Sequence, residues 1–169
     1  MPHVPGHELA GVIVETGAGV ERFAVGDRVT VPFVCGCGAC GWCRAGDAQV
    51  CPDQQQPGFT HWGSFAERVA LHAADTNLVR IPDDVSFAAA AALGCRFATA
   101  FRALTGRAHV QPGEWVVVVG AGGVGLSVVM IARALGAHVV AVDRNQAALD
   151  AASALGADAV VVADGVDVP

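Results

Sequence analysis

The chain has 169 residues, 53% of them hydrophobic and 15% charged, a balance that supports a packed core and excludes a disordered polar chain. Its formal net charge is -6 and its ten basic residues are all arginine, with no stripe of arginine interleaved with aromatics, which argues against a nucleic-acid partner. The opening Met1-Pro-His-Val-Pro-Gly-His7 lacks the basic and apolar regions of a signal peptide, and no run of roughly 18 apolar residues offers a membrane span. The expectation is a soluble, cytoplasmic protein with no membrane partner.

The first third reads as β. Leu9–Val14 is an apolar run closed by Gly17-Ala-Gly19, and Gly26–Pro32 is a turn followed by a β-branched strand. Residues 34–52 form a loop rich in Cys and Gly, too irregular for a helix or a long strand. Gly63–Leu71 and Leu78–Ile81 read as further short strands. Ser86 is a candidate N-cap for an alanine-rich helix running to about Leu104, bent at Gly94 and Cys95 and closed by Gly106 and then Pro112-Gly113. From Trp115 the pattern alternates. Strands at Trp115–Val119, His138–Val142 and Ala159–Val162 enclose helices at Gly123–Leu135 and Asn145–Leu155. Continuous apolar strands separated by helices imply a parallel sheet covered on both faces.

Five of the six cysteines lie between residues 35 and 51, which in a chain without an export signal favours metal over disulfides. Cys37, Cys40, Cys43 and Cys51 are spaced C-x2-C-x2-C-x7-C. The paired residues let a backbone knuckle present thiolates to one ion at about 2.3 Å, and the later cysteine completes a tetrahedron. Four thiolates leave no open position, so this candidate zinc site is structural. Gly36, Gly38, Gly41 and Gly46 permit the tight turns. Cys35 is the spare, an apolar filler in preference to an alternative ligand.

Gly120-Ala-Gly-Gly-Val-Gly125 lies between a strand and a helix, the context that makes a G-x-G-x-x-G sequence informative. Gly120 supplies the tight turn, Gly122 admits a pyrophosphate, and Gly125 lets helix and strand pack closely. Gly123 and Val124 open the helix, whose free N–H groups receive the anion. Asp143 ends the next strand, where a carboxylate accepts the hydrogen bonds of an adenosine ribose and repels a 2′-phosphate. That favours NAD over NADP, with the neighbouring Arg144 as the one counter-indication.

Near the N-terminus, Gly6-His7-Glu8 is followed by Gly11, Gly17 and Val20. With this segment, the cysteine cluster and Leu93-Gly-Cys-Arg-Phe-Ala-Thr99, the chain resembles the zinc-dependent medium-chain alcohol dehydrogenases from about residue 5 to residue 162. The resemblance implies an α+β and α/β chain. A GroES-like β domain with a structural zinc lobe (residues 1–84) would precede the first half of a Rossmann doubly wound parallel sheet (residues 85–169). It further implies a catalytic zinc held by His7 and Cys95, with Glu8 beside it as a supporting or occasional ligand. Val124 is expected behind the nicotinamide ring and Thr99 in contact with it. Three protein ligands leave one metal position open for an alcohol or carbonyl oxygen.

In that family a further cysteine ligand and a proton relay precede the Gly-His-Glu segment, and three more strands follow the third. Neither falls within residues 1–169, so the expectation is a fragment of a longer product with little or no turnover alone. The full-length protein is expected to hold two zinc ions per subunit, bind NAD, oxidise a small primary or secondary alcohol reversibly, and form a homo-oligomer. A polyol, formaldehyde or aryl-alcohol dehydrogenase is the alternative within the fold, and a non-catalytic zinc module the alternative outside enzymes. His61 and Trp62 lie where the family often places pocket residues, without assigning a substrate.

Overall fold

The computed structural model describes residues 2–163. The chain divides into two compact units, Met1–Cys95 and Arg96–Pro169.

In the first unit, β1 (Ala10–Val12), β2 (Arg28–Thr30) and β3 (Val79–Arg80) form an antiparallel sheet in that order. Ala10 faces Thr30, and Val29 faces Arg80. Gly26, at φ +97°, donates to the Ile13 carbonyl and turns the chain back toward β1, a conformation that only glycine adopts without cost. Phe23, Val29, Val31 and Ile81 are the buried apolar side chains of this sheet region. The cysteine-rich loop contains a single turn of helix, α1 (Gly41–Arg44), and a 3-10 turn at Ala48–Val50. A second short helix, α2 (Ala74–Asn77), precedes β3.

Gly63–Leu71, expected as a strand, is irregular. A strand is stable only where a neighbour takes up its backbone groups. Here residues 66–71 instead line a cleft of about 630 Å³, across from Leu9–Val14. None of the candidate metal or dinucleotide residues lines this cleft.

Helix α3 (Phe87–Ala108) starts where its cap was expected: the Ser86 hydroxyl accepts from the Ala89 N–H at 3.2 Å. Its first turns belong to the β unit. The Thr30 hydroxyl donates to the Ala90 carbonyl at 3.3 Å, and the Phe33 N–H donates to the Gly94 carbonyl at 3.1 Å. A methyl on Gly94 would lie 2.5 Å from the Val31 carbonyl oxygen. These contacts are why the compact units divide after Cys95. The expected bend at Gly94 and Cys95 is a π-helical stretch, Leu93–Phe97, and a second one follows at Arg102–Ala108. Gly106 therefore lies inside the helix, which ends at His109 in the left-handed conformation (φ 53°). By length and composition α3 could cross a bilayer. It nevertheless carries Arg96, Arg102 and Arg107, and it buries Ala90, Gly94, Ala100 and Leu104 against protein.

The second unit contains a parallel sheet, β4 (Trp115–Val119), β5 (His138–Asp143) and β6 (Ala159–Val162), in sequence order. Helices α4 (Gly123–Ala134) and α5 (Gln146–Ala154) connect the strands. The strand register pairs Val116 with Val139 and Val118 with Ala141. That face packs beneath the helices, with Val129, Ala132, Leu149 and Ala152 in a shared core. The opposite face of β4 shows Trp115, Val117 and Val119 at 63%, 62% and 71% exposure. Among the described residues, then, only one face is covered, contrary to the expectation for both. Successive right-handed crossovers that advance in one direction place their helices on the same side of a sheet.

Candidate metal centres and dinucleotide site

His7, Glu8 and Cys95 come together in the first unit, with their donor atoms all within 4.8 Å of one another. Two features of the sequence bring this about. Residues 4–6 are held by a short backbone ladder, in which Gly63 N–H donates to Val4 O (2.7 Å), Ser64 N–H to Gly6 O (3.0 Å) and Phe65 N–H to Pro5 O (3.0 Å). Gly6 (φ +104°) passes so close to Gly58 and Gly63 that a methyl on either would overlap its backbone. The π-helical stretch carries Cys95 at its centre; such insertions are frequent at functional sites. Phe33 and Phe59 flank the His7 ring at centroid distances of 5.7 and 5.0 Å. An imidazole, a carboxylate and a thiol are all zinc donors, and three such groups fall short of a closed four-thiolate set.

The second cluster joins Cys37, Cys40, Cys43 and Cys51. Cys40 Sγ is 3.8 Å from Cys51 Sγ, and Cys37 Sγ is 4.0 Å from Cys43 Sγ. All four are free thiols. Backbone N–H groups point at the sulfurs: Ala39 at Cys37 (3.5 Å), Cys43 at Cys40 (3.4 Å) and Cys37 at Cys51 (3.4 Å). The donors at Ala39 and Cys40 bring the Cys37 thiol down to about 7, whereas burial pushes Cys43 up to about 11. Four thiolates at this spacing repel one another, so a dication is the fitting occupant. Cys35 lies outside the cluster. It is buried, its Sγ donates to Pro32 O at 3.4 Å, and burial raises it to about 11, the behaviour of an inert apolar filler.

Sequence reading missed the residue that anchors this lobe. Asn77 is 4% exposed. Its Oδ1 accepts from Gly36 N–H at 2.9 Å, and its Nδ2 donates to Gly36 O (2.9 Å), His72 O (3.1 Å) and Ala73 O (3.0 Å). Gly36 sits one residue before the first ligand, and a methyl there would lie 2.9 Å from Cys43 Sγ. A lone Asn before a short strand gave no signal for this role.

In the second unit, Gly120 (φ +93°) makes the turn out of β4 and donates to Val142 O at 2.8 Å. Gly122 caps α4 without any side-chain partner for the first N–H groups, and a methyl on it would meet open space. On Gly125 the same methyl would overlap the Gly120 carbonyl, so helix and turn are in backbone contact. Asp143 reaches this loop. Its Oδ2 accepts from Ala121 N–H at 2.6 Å and its Oδ1 from Asn145 N–H at 2.8 Å. The N–H groups of Asn145 and Ala121 are the main reason its carboxyl lies below the ordinary value of 3.8, so it is anionic at neutral pH. Val124 is 43% exposed on the first turn of α4, while Thr99 and Arg144 are exposed on α3 and just after β5. His61 and His72 meet edge to face at 5.4 Å, and burial followed by the neighbouring His72 lowers His61. Trp62 is 68% exposed.

Two family models match: the alcohol dehydrogenase GroES-like domain over residues 1–83 and the zinc-binding dehydrogenase domain over residues 123–169. The chain belongs to the zinc-dependent medium-chain alcohol dehydrogenase family. An alcohol dehydrogenase of Geobacillus stearothermophilus is 44% identical over 164 residues, which is 95% of this chain and 47% of the relative. The alcohol dehydrogenase TADH from Thermus sp. ATN1 superposes with a TM-score of 0.92 at 32% identity, covering 98% of this chain and 49% of that one. A cobalt- and zinc-bound thermostable alcohol dehydrogenase from Pyrobaculum aerophilum gives a TM-score of 0.84 at 37% identity, covering 96% and 49%. The chain thus spans about half the length of the curated relatives it matches. Both expected halves of the fold, GroES-like and Rossmann-type, are those of the family.

Proposed function

We propose that this protein belongs to a cytoplasmic, zinc-dependent, NAD-linked alcohol dehydrogenase that interconverts a primary or secondary alcohol with its aldehyde or ketone. The observation that carries the proposal is the convergence of the neighbours His7 and Glu8 with Cys95, which is distant from them in sequence, onto one point with donor groups suited to zinc. Zinc bound there would supply Lewis acidity to a substrate oxygen, an ion able to lower the pKa of bound water from about 15.7 to roughly 7. Cys95 and His7 would hold it, and Glu8 would support it or ligate in turn. Phe33 and Phe59 beside His7 limit water around the imidazole.

The dinucleotide is assigned to the second unit. The uncapped N–H groups at Gly122, Gly123 and Val124 receive the pyrophosphate, where the positive end of the helix dipole also favours an anion. The Asp143 carboxylate accepts from the adenosine ribose and disfavours a 2′-phosphate, selecting NAD. Thr99 and Val124 are assigned to the nicotinamide by family likeness. Cys37, Cys40, Cys43 and Cys51 hold the second, structural zinc, which stabilises the lobe and takes no part in the reaction. Residues 1–84 are assigned to the zinc-binding domain and 85–169 to the nucleotide-binding domain. A small alcohol or carbonyl compound is the substrate, a homo-oligomer is the assembly, and neither a membrane nor nucleic acid is a partner.

Elemental analysis of the purified chain, together with an alcohol screen, monitored by NADH formation, on a full-length protein that contains it, tests this reading. The expected content is one zinc per cluster, with His7→Ala losing one and Cys40→Ser losing the other. A zinc content that His7→Ala leaves unchanged would overturn the catalytic assignment while leaving the structural zinc intact.

A further inference from the structure

One glycine of the Gly120–Gly125 sequence is unexplained by turn, anion approach or helix packing. Gly123 is not among the three fixed positions of the dinucleotide sequence, yet it is not in open space. A methyl group built on it would overlap the stem of Arg96, coming within 2.9 Å of Nη1 and 3.3 Å of Nε. Both residues belong to the second unit. Arg96 lies in the π-helical stretch Leu93–Phe97, and the absence of a side chain at Gly123 lets its guanidinium lie on the first turn of α4. The helix presents no side-chain cap there, and the space above Gly120 and Gly122 is empty of protein atoms within 4 Å of an added methyl.

We infer that Arg96 is a pyrophosphate-binding residue, its guanidinium closing over the dinucleotide phosphates that the α4 N-terminus receives. This rests on the dinucleotide reading given above and adds to it a side-chain donor. Backbone N–H groups at a helix start supply directed but only partial charge, roughly half a unit. A pyrophosphate carries more than they neutralise. Arginine is the side chain suited to the remainder, because its planar fork of N–H donors matches two phosphate oxygens at once and stays charged at any working pH. Gly123 is the position that has to stay bare for the fork to reach them. Arg96 is thus a binding residue for the cofactor, and no step of hydride transfer is assigned to it.

The test compares NADH with adenosine, which lacks phosphate, as ligands of wild-type protein and of Arg96→Gln and Arg96→Lys, by titration calorimetry at two salt concentrations. Loss of a charge-assisted contact is expected to weaken NADH by about ten- to a hundredfold in Arg96→Gln. Adenosine affinity should stay the same, and the salt dependence of NADH binding should shrink. Arg96→Lys keeps the charge and loses the fork, so NADH should fall between the two; it also serves if the glutamine variant does not fold. Equal NADH affinity in wild type and both variants would overturn the assignment of Arg96 while leaving the dinucleotide site standing. A parallel loss of adenosine would also overturn it, by showing that Arg96 only supports the fold. If the wild type bound neither ligand, the dinucleotide reading itself would fail, and Arg96 with it.

Discussion

Replacing Asn77 with alanine isolates the polar anchor of the cysteine lobe. Both Gly36 and Asn77 are buried, and the amide meets the Gly36 N–H and C=O at 2.9 Å each. Truncation leaves those two backbone groups without partners, and a buried unsatisfied group costs about 1–3 kcal/mol. The Ala73 carbonyl loses less, since it still accepts from the Thr76 N–H at 3.0 Å. The expected destabilisation is therefore about 2–6 kcal/mol, a large share of the roughly 5–15 kcal/mol that holds a typical domain together. Gly36 leads directly into Cys37, and zinc affinity is linked to folding of the loop that presents the thiolates. The variant should accordingly lose zinc to a chelator faster than wild type. Asn77→Asp sharpens the argument. It keeps the acceptor for Gly36 N–H but turns an oxygen toward the carbonyls of Gly36, His72 and Ala73, so it should be at least as destabilising as alanine. Urea denaturation with parallel zinc analysis reads both effects. A loss below about 1 kcal/mol in Asn77→Ala, or an aspartate variant milder than the alanine one, would refute the reasoning.

Gly125→Ala forces a methyl into the Gly120 carbonyl; α4 must move off β4, and NADH affinity should fall by at least tenfold (about 1.4 kcal/mol) with the cysteine lobe's zinc retained. Asp143→Ser removes the anion at the end of β5, so the ratio of NADH to NADPH affinity, measured by fluorescence titration, should move toward NADPH; an unchanged ratio would count against the ribose assignment. Asp158 provides a pH test. The Val139 N–H at 2.7 Å, followed by His138 and Arg133, holds its carboxyl below 3.8. A lowered folded value means the contribution is present above the unfolded value and is lost as pH falls through the folded one. The stability gap between wild type and Asp158→Asn should be open at neutral pH and close below the usual carboxylate range, as read by denaturant midpoints.

From Trp115 onward the chain was legible almost residue by residue, because its strands are continuous apolar runs and its helices carry their own punctuation. Trp115–Val119 and Ala159–Val162 match their expected bounds, and Asn145 caps α5 through Ala147 N–H at 2.9 Å. The C-x2-C-x2-C-x7-C spacing picked out one cluster and the family resemblance the other, and the fold brings the residues of each together. What sequence could not give depends on neighbours. Gly63–Leu71 has the composition of a strand, but only Gly63, Ser64 and Phe65 meet adjacent backbone, at residues 4–6. The helix ran past Gly106 because two π stretches absorbed the misfit, and nothing in Arg102–Ala108 announces that. Asn77 and Arg96 matter through glycines distant in sequence, Gly36 and Gly123, and a pairing of that kind leaves no local trace.

The uncovered side of the parallel sheet has a price in water. Trp115, Val117 and Val119 sit at alternate positions of one strand, and each side chain of this size forgoes about 1.5–3 kcal/mol while it remains hydrated. Together they make a flat, greasy plank with no lysine or proline to spoil it. Any smooth nonpolar surface that reaches it dries three large side chains at once. At high concentration, or in a strongly salting-out buffer, this plank therefore favours self-association.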